Sequence, residues 1–496
     1  MKVTAYEISI TQRYLWRSAR EAIPVQHALI VEVEQNGISG FGEASAFMTA
    51  HYNSDLDRMH ADLRRLAPVL SGLEPEDPFA VWKVLVSHLP DSPFILAALD
   101  TAVHDLRARL LGVPLWQALG LEPPTDVRSS FSIGLDETDV MVTKLRERPG
   151  WPAYKVKLAD PGDLSVLKEL RRHTDAPFYV DGNCGWDLAG TLPALEGMRE
   201  LGVELVEQPF ARSAWQDAQV LKEAAPIPVI ADESITSLHD LDACAAAFHG
   251  INVKPMKAGG TTPALALLRS ARERGLRTML GCMPESAAGL SATGHLASLA
   301  DYLDVDSVVL NAVDTGQGIG VDAVGRVTLP GRPGSGFRPD PAEHGWRVRP
   351  VDAEVIRPVR HQVLRPGEPP ENCAYAEDGL PGARHFAALR AGRAVGACSL
   401  YDEDPPEGRT VPGLVPGTGR RLRGMATLEE ARGTGLGAAL LRTALTHAVL
   451  DGADVVWCNA RTDAAGFYRR HGFRVAGDPF EMPGIGPHLF MHWSPR

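Results

Sequence analysis

The sequence predicts an α/β protein in which a modified TIM (β/α) barrel follows an N-terminal α+β capping domain and precedes a separate α+β domain. Ionisable residues end short apolar runs at intervals of 24 to 26 residues, by subtraction of their positions. A strand, a loop, a helix and a second loop use roughly this many residues, so the interval is typical of repeated βα units. A stretch rich in Pro, Gly and Arg then separates this repeat from a further region of strand and helix patterns.

Residues 1–125 are predicted to form an α+β domain, because they mix strand and helix patterns; its role as a capping domain is implied by the resemblance described below. Two apolar runs, Ala28–Glu34 and Ser39–Glu43, flank the dipeptide Asn36-Gly37. Asn-Gly between such runs indicates a β-hairpin with a tight turn. Helical spacing predicts two helices after the hairpin, His60–Leu70 and Ile95–Leu111.

Residues 126–340 are predicted to form the barrel. The repeat begins near Ser132 and extends to the apolar runs 279–283 and 302–306, which makes about eight strand ends. A closed parallel barrel of this kind has eight strands, and the carboxyl ends of its strands meet at one face. That face would collect the five ionisable residues of the repeat, which are Lys157, Asp181, Glu207, Asp232 and Lys257.

Three consecutive strand ends carry the carboxylates Asp181, Glu207 and Asp232. Oxygen ligands suit a hard cation such as Mg²⁺, which keeps further positions for water or substrate. No histidine or cysteine stands at the equivalent positions, which disfavours zinc. A single acidic residue after a barrel strand is often a helix cap. Three in consecutive units, bracketed by lysines, predict a magnesium site.

The two lysines that bracket the carboxylates are predicted to be catalytic bases. A nearby cation and a site that excludes water both lower the pKa of a lysine, so Lys157 and Lys257 would exchange protons with carbon. A divalent cation would stabilise the enediolate that forms when a carboxylate substrate loses its α-proton. The units of Lys157 and Lys257 lie four apart in a ring of eight, so the two bases face each other across the substrate. Proton removal on one face and return on the other predict a racemase or epimerase.

The C-terminal region is predicted to be a separate domain, residues 352–496, reached through a linker at residues 341–351. A strand-like run, Leu422–Thr427, leads to the glycine-rich loop Arg432–Gly437 and a helix, Ala438–Leu450. Backbone N–H groups in such a loop, at a helix N-terminus, bind pyrophosphate. A glycine-rich loop alone also serves simply to turn the chain.

Composition and charge limit the classes of partner. The 496-residue chain has a formal net charge of −12, 44 % hydrophobic and 23 % charged residues, which is typical of a soluble globular protein. The negative charge argues against nucleic acid and anionic membranes as partners, and no apolar run reaches the ~18 residues of a membrane span. Six scattered cysteines and an N-terminus without a signal-peptide core favour a cytoplasmic location. A small-molecule substrate is expected, and a homo-oligomer is compatible with the sequence.

The first 340 residues resemble the enolase superfamily, specifically its muconate-lactonising subgroup. The resemblance is carried by five motifs in order: Lys155-Val-Lys157, Asp181-Gly-Asn183, Glu207-Gln-Pro209, Asp232-Glu-Ser234 and Lys254-Pro-Met-Lys257-Ala-Gly-Gly260. It implies a barrel with a capping domain, Mg²⁺ on the three carboxylates, two lysine bases, and a substrate-binding role for Lys155. One departure is Cys184, at a position where the family pattern leads us to expect glutamine.

The substrate is suggested by Asp304-Val-Asp306 at the eighth strand end. In this position the motif looks like the acidic pair by which dipeptide epimerases bind the substrate's α-ammonium, so epimerisation of the C-terminal residue of a dipeptide is favoured. N-acylamino-acid racemase, o-succinylbenzoate synthase and muconate-type cycloisomerase activities remain alternatives. Arg17 and Arg20, in a lid loop, are candidate ligands for an acidic substrate side chain or ordinary surface arginines. Glu285 is interpreted as a helix cap.

Residues 352–496 resemble the GNAT N-acetyltransferases. The resemblance rests on the Arg-x-x-Gly-x-Gly pattern of Arg432–Gly437, on Asn459 and on the segment Phe467–Phe473. It implies acetyl-CoA as cofactor, with the loop on its pyrophosphate and Tyr468 as general acid for the CoA thiolate. It also places a first strand and helix between Ile356 and Pro366.

The cofactor-binding residues implied by this resemblance are Arg432, Gly433, Gly435, Gly437 and Asn459. A domain that only binds CoA or a partner remains an alternative. We hypothesise that an active transferase acetylates the amine of the epimerised peptide.

Overall fold

The computed structural model describes residues 1–17, 22–49, 51–340 and 345–495. The chain divides into two compact units that do not follow chain order. The first unit comprises Met1–Ser9, Leu56–Leu73 and Pro341–Arg496, and the second comprises Ile10–Asp55 and Glu74–Asp340. Two short N-terminal segments are therefore grouped with the C-terminal third of the chain.

The N-terminal part of the chain contains five strands and four helices among its described residues. The strands are β1 (Lys2–Arg17), β2 (Ala22–Gln35), β3 (Ile38–Ser45), β4 (Phe47–Met48) and β5 (Asn53–Ser54). The helices are α1 (Leu56–Leu70), α2 (Pro78–His88), α3 (Pro93–Leu110) and α4 (Leu115–Ala118).

The predicted hairpin is confirmed by strands β2 and β3. They pair antiparallel up to Gln35 opposite Ile38, and the turn between them is Asn36-Gly37. Both turn residues have positive φ, 56° and 75°, as a type I′ turn requires. Helix α3 packs so closely on β3 that a side chain at Gly40 or Gly42 would overlap the backbone of the helix.

The barrel in the second unit consists of eight parallel strands in sequential order. The strands are β6 (Phe131–Ile133), β7 (Tyr154–Lys157), β8 (Phe178–Asp181), β9 (Val203–Glu207), β10 (Val229–Ala231), β11 (Gly250–Val253), β12 (Arg277–Gly281) and β13 (Tyr302–Asp304). The helices between and after them are α5 (Thr138–Glu147), α6 (Ser165–Arg171), α7 (Leu188–Glu200), α8 (Trp215–Ala224), α9 (Leu241–Ala247), α10 (Pro255–Ala258), α11 (Thr261–Glu273), α12 (Ala287–Gly294) and α13 (Ser307–Leu310).

The barrel is nearly closed, because its last strand returns to its first. The backbone N–H of Ser130, just before β6, donates to the carbonyl of Leu303 in β13 at 2.8 Å. Buried apolar side chains of the strands and of the surrounding helices form one continuous core. This arrangement confirms the predicted fold class and brings the carboxyl ends of all eight strands to one face.

Lys257 departs from the predicted position at a strand end. Strand β11 ends at Val253, and Lys257 lies on the one-turn helix α10. Pro255 is the first residue of this helix, where its missing N–H costs nothing, and Gly259 ends it with φ of 97°. The turn carries the ammonium group of Lys257 back over the end of the barrel.

Among its described residues, the C-terminal part contains four short strands, then a mixed sheet with three helices. The short strands are β14 (Gly316–Gln317), β15 (Gly320–Val321), β16 (Val327–Thr328) and β17 (Arg338–Pro339). The later strands are β18 (Trp346–Val351), β19 (Arg384–Arg390), β20 (Arg393–Asp402), β21 (Gly419–Thr427), β22 (Val455–Arg461), β23 (Arg474–Val475), β24 (Phe480–Met482) and β25 (Gly486–Trp493). The helices are α14 (Ala353–Leu364), α15 (Leu436–Leu450) and α16 (Ala465–Arg470).

The first strand of the C-terminal sheet is β18, which lies inside the predicted linker. The prediction of a strand near residue 356 is wrong. Residues 353–364 form helix α14 instead, with Ile356, Val359 and Arg360 buried on one side. Spacings of three and four between buried residues are helical, and they outweigh the strand preference of Val and Ile. Strand β18 pairs on one side with β19 and on the other with the start of β1, where Glu7 lies opposite Val348.

Three further features of the described residues concern membrane spans, disulfides and the packing of the first unit. No helix among the described residues is long and apolar enough to cross a membrane. No disulfide joins any of the six cysteines, all of which lie in the described part of the chain. Within the first unit, helix α1 packs against α15.

Candidate active sites

The three predicted metal ligands lie side by side at the carboxyl end of the barrel. Asp181 is the Cα partner of Glu207 across β8 and β9, and Asp232 directly follows β10, the next strand. All three side chains are at most 2 % exposed. Burial of three carboxylates in one place is unfavourable unless cations or hydrogen bonds compensate their charge.

Four lysines supply that compensation in this structure. The Nζ atom of Lys155 lies 3.4 Å from Asp181 Oδ2 and 2.9 Å from Glu207 Oε2. Lys157 Nζ lies 2.9 Å from the same oxygen of Asp181. On the other side, Asp232 accepts hydrogen bonds from Lys254, at 2.7 Å, and from Lys257. The two predicted bases therefore contact different carboxylates of the group.

The pKa values of the three carboxylates differ because their partners differ. Burial raises the pKa of Glu207 to about 7, against the opposing effect of Lys155, and the charges of Asp181 and Asp232 raise it further. Burial also raises the pKa of Asp181 and Asp232, but their lysine partners outweigh it and hold both below the usual value. Glu207 is therefore the carboxylate whose charge the lysines compensate least.

The residues present fit a divalent cation by the chemistry of the donor set. Oε2 of Glu207 is buried and accepts no hydrogen bond of good geometry, although Lys155 lies within ion-pair distance. Among the described residues no three acidic, histidine or cysteine side chains already converge as a ligand shell, since each carboxylate turns to an ammonium group. Asp181, Glu207 and Asp232 would hold the cation through their oxygens.

The two predicted bases are both buried. Lys157 ends β7 and hydrogen-bonds Asp181 and the side chain of Asn183. Lys257 hydrogen-bonds Asp232, and burial lowers its pKa although the carboxylate of Asp232 opposes the shift. A lowered pKa makes the neutral amine, the form that accepts a proton from carbon, more accessible.

The acidic pair after β13 is connected to the same group of charges. Oδ2 of Asp304 lies 3.0 Å from Lys155 Nζ, and its Oδ1 accepts hydrogen bonds from the hydroxyl groups of Ser130 and Ser132. Asp306 accepts a hydrogen bond from the backbone N–H of Ser132. Burial and the charge of Asp304 raise the pKa of Asp306 to about 8. Both carboxylates are buried, and Ser132 hydrogen-bonds both of them.

Several residues of this site were missed by the sequence reasoning. Lys254 is the ammonium that holds Asp232 Oδ2, Asn252 donates to Glu207 Oε1 at 2.9 Å, and Glu233 is buried next to Asp232. Lys254 and Glu233 stand inside motifs given above. Asn252, on β11, lies two residues before Lys254, so the alternation of side chains along a strand could have placed both on the same side. Burial raises the pKa of Glu233, as does the charge of Asp232.

The segment between β4 and β5 contributes Tyr52. The charge of Asp232 adds to burial in raising the pKa of the Tyr52 phenol, so the hydroxyl stays protonated. The ring packs edge-on against Phe94 and Phe47. Of the two lid arginines proposed from the sequence, Arg20 lies outside the described residues, and so does the side chain of Arg17.

Three residues at the strand ends adopt unusual backbone conformations. Asn183, Cys184 and Gln208 have φ of 45°, 63° and 30°. The backbone N–H of Cys184 donates to the carbonyl of Gln208 at 2.8 Å. Gln208 in turn accepts, through its side-chain oxygen, from the backbone N–H groups of Asp232 and Ser234. Left-handed conformations of residues other than glycine are unfavourable and are concentrated at functional sites. Here they connect the loops that carry the three carboxylates.

The C-terminal domain has a fork between two parallel strands. Strands β21 and β22 pair only from Gly419 to Arg421, opposite Val455 to Trp457. Beyond these residues the strands no longer pair with each other. Asn459 lies on β22 in this separated part and is partly exposed.

The predicted pyrophosphate loop joins β21 to helix α15. Arg432, Gly433 and Gly435 are exposed, and both glycines have positive φ, 74° and 81°. Gly435 is the N-cap of α15, and Gly437 is in the first turn of this helix. The glycines thus let the chain enter a 15-residue helix through a left-handed turn, with the positive end of the helix facing the loop.

Tyr468 lies on α16 and is 7 % exposed. Burial raises the pKa of its phenol, and the neighbouring thiols Cys458 and Cys398 add to the effect. The phenol is therefore protonated in this environment. Glu429 and Glu430 form a short turn before the loop, and Glu430 pairs with Arg393 on the surface.

Family models match almost the whole chain. The mandelate racemase / muconate lactonizing enzyme N-terminal domain matches residues 3–120, and the enolase C-terminal domain-like model matches residues 139–343. The acetyltransferase (GNAT) family model matches residues 356–473.

Relatives and a solved structure agree with the first two models. The L-Ala-D/L-amino acid epimerase of Flavobacterium johnsoniae is 38 % identical over 64 % of this chain and 94 % of its own length. The L-Ala-D/L-Glu epimerase of Bacteroides thetaiotaomicron is 32 % identical over 68 % of this chain and 87 % of its own length. The crystal structure of a dipeptide epimerase from Methylococcus capsulatus, complexed with Mg and the dipeptide L-Arg-D-Lys, has a TM-score of 0.61 and 31 % identity, covering 68 % of this chain and 99 % of that one.

These matches and the barrel site define a class of protein, the enolase-like enzymes with a capping domain. Within that class, the chain belongs to the mandelate racemase / muconate lactonizing enzyme family, and its relatives there are dipeptide epimerases. Its C-terminal third is a GNAT-family domain that lies beyond the part aligned with these relatives.

Proposed function

We propose that the chain is a magnesium-dependent dipeptide epimerase fused to an acetyl-CoA-dependent N-acetyltransferase. The observation that carries the first activity is the placement of Lys157 and Lys257. Lys157 ends β7 and Lys257 follows β11, four strands away in a ring of eight, and both are buried against the carboxylate group. Two bases on opposite sides of one site invert a stereocentre by removing a proton on one face and returning it on the other.

Asp181, Glu207 and Asp232 are the proposed ligands of Mg²⁺. When bound, the cation supplies a Lewis acid that binds the substrate carboxylate and stabilises the negative charge left by the departing α-proton. Lys155 would hold the same carboxylate by hydrogen bonds. The buried Oε2 of Glu207, which accepts no hydrogen bond of good geometry, supports this assignment, because a divalent cation would be a partner for that oxygen.

The substrate class follows from the amine-binding end of the site. Asp304 and Asp306 are buried and are supported by Ser130 and Ser132, and an ammonium group is the complement of such a pair. The substrate is therefore a dipeptide with a free α-amine, epimerised at its C-terminal residue. An N-acylated amino acid lacks the positive charge that these carboxylates would bind. The named relatives act on dipeptides with different side chains, so the residue that is epimerised is left to experiment.

The test is hydrogen exchange in D₂O. The purified protein is incubated with Mg²⁺ and a dipeptide library, and each peptide is analysed by mass spectrometry and chiral chromatography. Deuterium at the α-carbon of the C-terminal residue, with formation of the other diastereomer, is expected for a subset of dipeptides. Exchange into N-acetylated or N-succinylated amino acids but into no dipeptide would contradict the proposed substrate class.

The second activity is carried by the fork between β21 and β22 together with the loop Arg432–Gly437. Acetyl-CoA would place its pyrophosphate on this loop and its pantetheine arm in the fork beside Asn459, and Tyr468 would protonate the departing thiolate. Release of CoA in the presence of acetyl-CoA and an amine tests this activity. A cytoplasmic location and small-molecule substrates complete the proposal.

A further inference from the structure

One face of strand β21 carries arginines directly beside the fork. Arg421 is the last residue of β21 that pairs with β22, opposite Trp457, and Arg423 follows two positions later on the same face. The guanidinium of Arg421 lies 5.1 Å from the Trp457 ring centre, and that of Arg423 lies 3.8 Å from the Tyr375 ring centre. Aromatic stacking of this kind fixes the plane of a guanidinium group.

Each of these arginines is paired with a glutamate that is itself partly exposed. Arg423 Nη1 donates to both carboxylate oxygens of Glu377, at 3.0 and 3.2 Å, and Arg421 Nη1 donates to Glu403 at 3.1 and 3.2 Å. The side chains of Arg423 and Glu377 are 33 % and 28 % exposed. In both pairs one nitrogen does all the bonding to the glutamate, so a second carboxylate has other N–H groups available to it.

A buried arginine packs behind Tyr375 and so supports this face of β21. Arg360 on α14 is fully buried and donates to Asp378, Ser399 and Tyr401, and its guanidinium lies 4.4 Å from the Tyr375 ring centre. Tyr375 is therefore in contact with both Arg360 and Arg423. Gly424, next to Arg423, has φ of 69°, and a side chain there would lie 3.0 Å from Arg360 Nε. Glycine is favoured at this position, because it combines the left-handed conformation with the close approach of Arg360.

We infer that the partly exposed surface formed by Arg421, Arg423 and Tyr375, beside the buried ring of Trp457, binds the carboxylate of the acetyl acceptor. The acceptor is then an amine that also carries a carboxylate, such as an amino acid or a dipeptide. The two oxygens of a planar carboxylate match adjacent N–H donors on an oriented guanidinium group. The inference rests on the proposed transferase activity and specifies the substrate class of that same site.

The transfer step balances without a further reactant. The neutral amine of the acceptor attacks the acetyl carbon of the thioester, a C–N bond forms and the C–S bond breaks. Tyr468 gives its proton to the thiolate sulfur, the nitrogen releases its own proton to solvent, and the Tyr468 phenolate takes a proton back from solvent. Binding of the carboxylate at Arg423 orients the amine but takes no part in these bond changes, so loss of Arg423 affects KM more than kcat.

The experiment compares dipeptides with the same dipeptides whose C-terminal carboxylate is a carboxamide. The full-length protein, acetyl-CoA and each acceptor are mixed, and thiol release and acetylated product are followed. The unaltered protein is expected to use the acid with a kcat/KM about 10 to 100 times that of the amide, as one charge-assisted hydrogen-bonded pair supplies. In Arg423→Gln this ratio falls towards one through a higher KM for the acid, and Arg423→Lys is intermediate.

The acid-to-amide ratio within one preparation is insensitive to partial unfolding of a variant. Arg384→Gln is the matched control, because Arg384 forms a similar ion pair with Asp451 but lies level with Leu422, on the face of the sheet opposite to Arg423. Equal use of acid and amide by the unaltered protein, or an unchanged ratio in Arg423→Gln, would overturn the acceptor assignment alone. Absence of thiol release with every amine would overturn the transferase activity itself.

Discussion

Arg442 donates two hydrogen bonds to a single oxygen of Glu7, 435 residues earlier in the chain: Nε at 2.9 Å and Nη2 at 2.7 Å from Oε1. Glu7 is fully buried. His60 donates to the same oxygen from Nε2 and accepts from the hydroxyl of Thr446 at Nδ1, because an ionised carboxylate can only accept. Burial lowers the pKa of His60, so the ring is neutral. This cluster joins β1 and α1 to α15, the helix that follows the predicted pyrophosphate loop.

Replacing Glu7 by Gln is expected to destabilise the first unit. The substitution keeps the shape but removes the negative charge, which leaves the buried guanidinium of Arg442 with Asp57 as its remaining carboxylate partner. Breaking a buried ion pair from one side costs about 3 to 5 kcal/mol, and thermal unfolding monitored by calorimetry measures the loss. Glu354→Gln is the matched control, because that glutamate is exposed and pairs with Arg357 on the surface. Equal effects of the two substitutions would contradict the role of the cluster.

The ion pair of Glu7 and Arg442 predicts that the stability of the first unit depends on pH. Burial raises the pKa of Glu7, but His60, Arg442 and Arg347 outweigh it and lower the pKa from 4.5 to about 2. A carboxylate whose folded pKa is depressed adds stability above the unfolded value and loses it as pH falls through the folded one. The stability difference between the unaltered protein and Glu7→Gln should therefore be constant above about pH 5 and shrink between pH 4.5 and 2. A stability difference between the two proteins that grows on acidification would show that Glu7 is not ionised in the folded protein.

The lysines are tested by single substitutions. Lys157→Ala and Lys257→Ala should each lower epimerisation of the best dipeptide by about 10² to 10⁴-fold, the range for loss of a general acid or base. Deuterium exchange that survives from one diastereomer only would identify the face served by the remaining lysine. Lys168→Ala, on the exposed side of α6, is the control. Full turnover in both barrel variants would exclude the two-base scheme.

The cation site is tested by a binding measurement that does not depend on turnover. Mg²⁺ should raise the thermal midpoint of the unaltered protein, since a ligand at 100 times its Kd stabilises the folded state by about 2.7 kcal/mol. Asp181→Asn and Glu207→Gln should remove this increase, whereas Asp217→Asn, on the exposed helix α8, should keep it. Chelation should also stop deuterium exchange. A magnesium-induced increase that persists in both barrel variants would place the cation elsewhere.

A fragment of residues 352–496 is expected not to fold as a stable domain. It lacks β18, the strand that covers the edge of β19, and it lacks the start of β1 and helix α1. Without these segments Arg442 and His447 lose Glu7 and the backbone of Ala5 as partners. Circular dichroism with thermal unfolding of the fragment measures the effect. A cooperative transition at the temperature of the full chain would show that the N-terminal segments are dispensable.

Much of the barrel was predictable because its signal is local and repeated. Asp181 and Glu207, which were predicted to stand at strand ends, are the last residues of β8 and β9. The position of Lys257 on α10 was not predicted, because a one-turn helix is too short to show periodicity. The ion pairs of Lys155 and Lys254 also escaped prediction, since side-chain partners across neighbouring strands depend on register and on burial.

The sequence by itself determined the class of chemistry, because carboxylates and lysines at a regular interval can come together only if the repeat closes into a ring. It also determined the two families, since their motifs are short and contiguous. Only the tertiary structure decided that Lys2–Ser9 and α1 belong with the C-terminal sheet and that Arg423 lies beside Tyr375. Neither follows from local periodicity. The buried Glu7 gains its charged partner, and the edge of β18 its neighbouring strand, only when distant parts of the chain pack together.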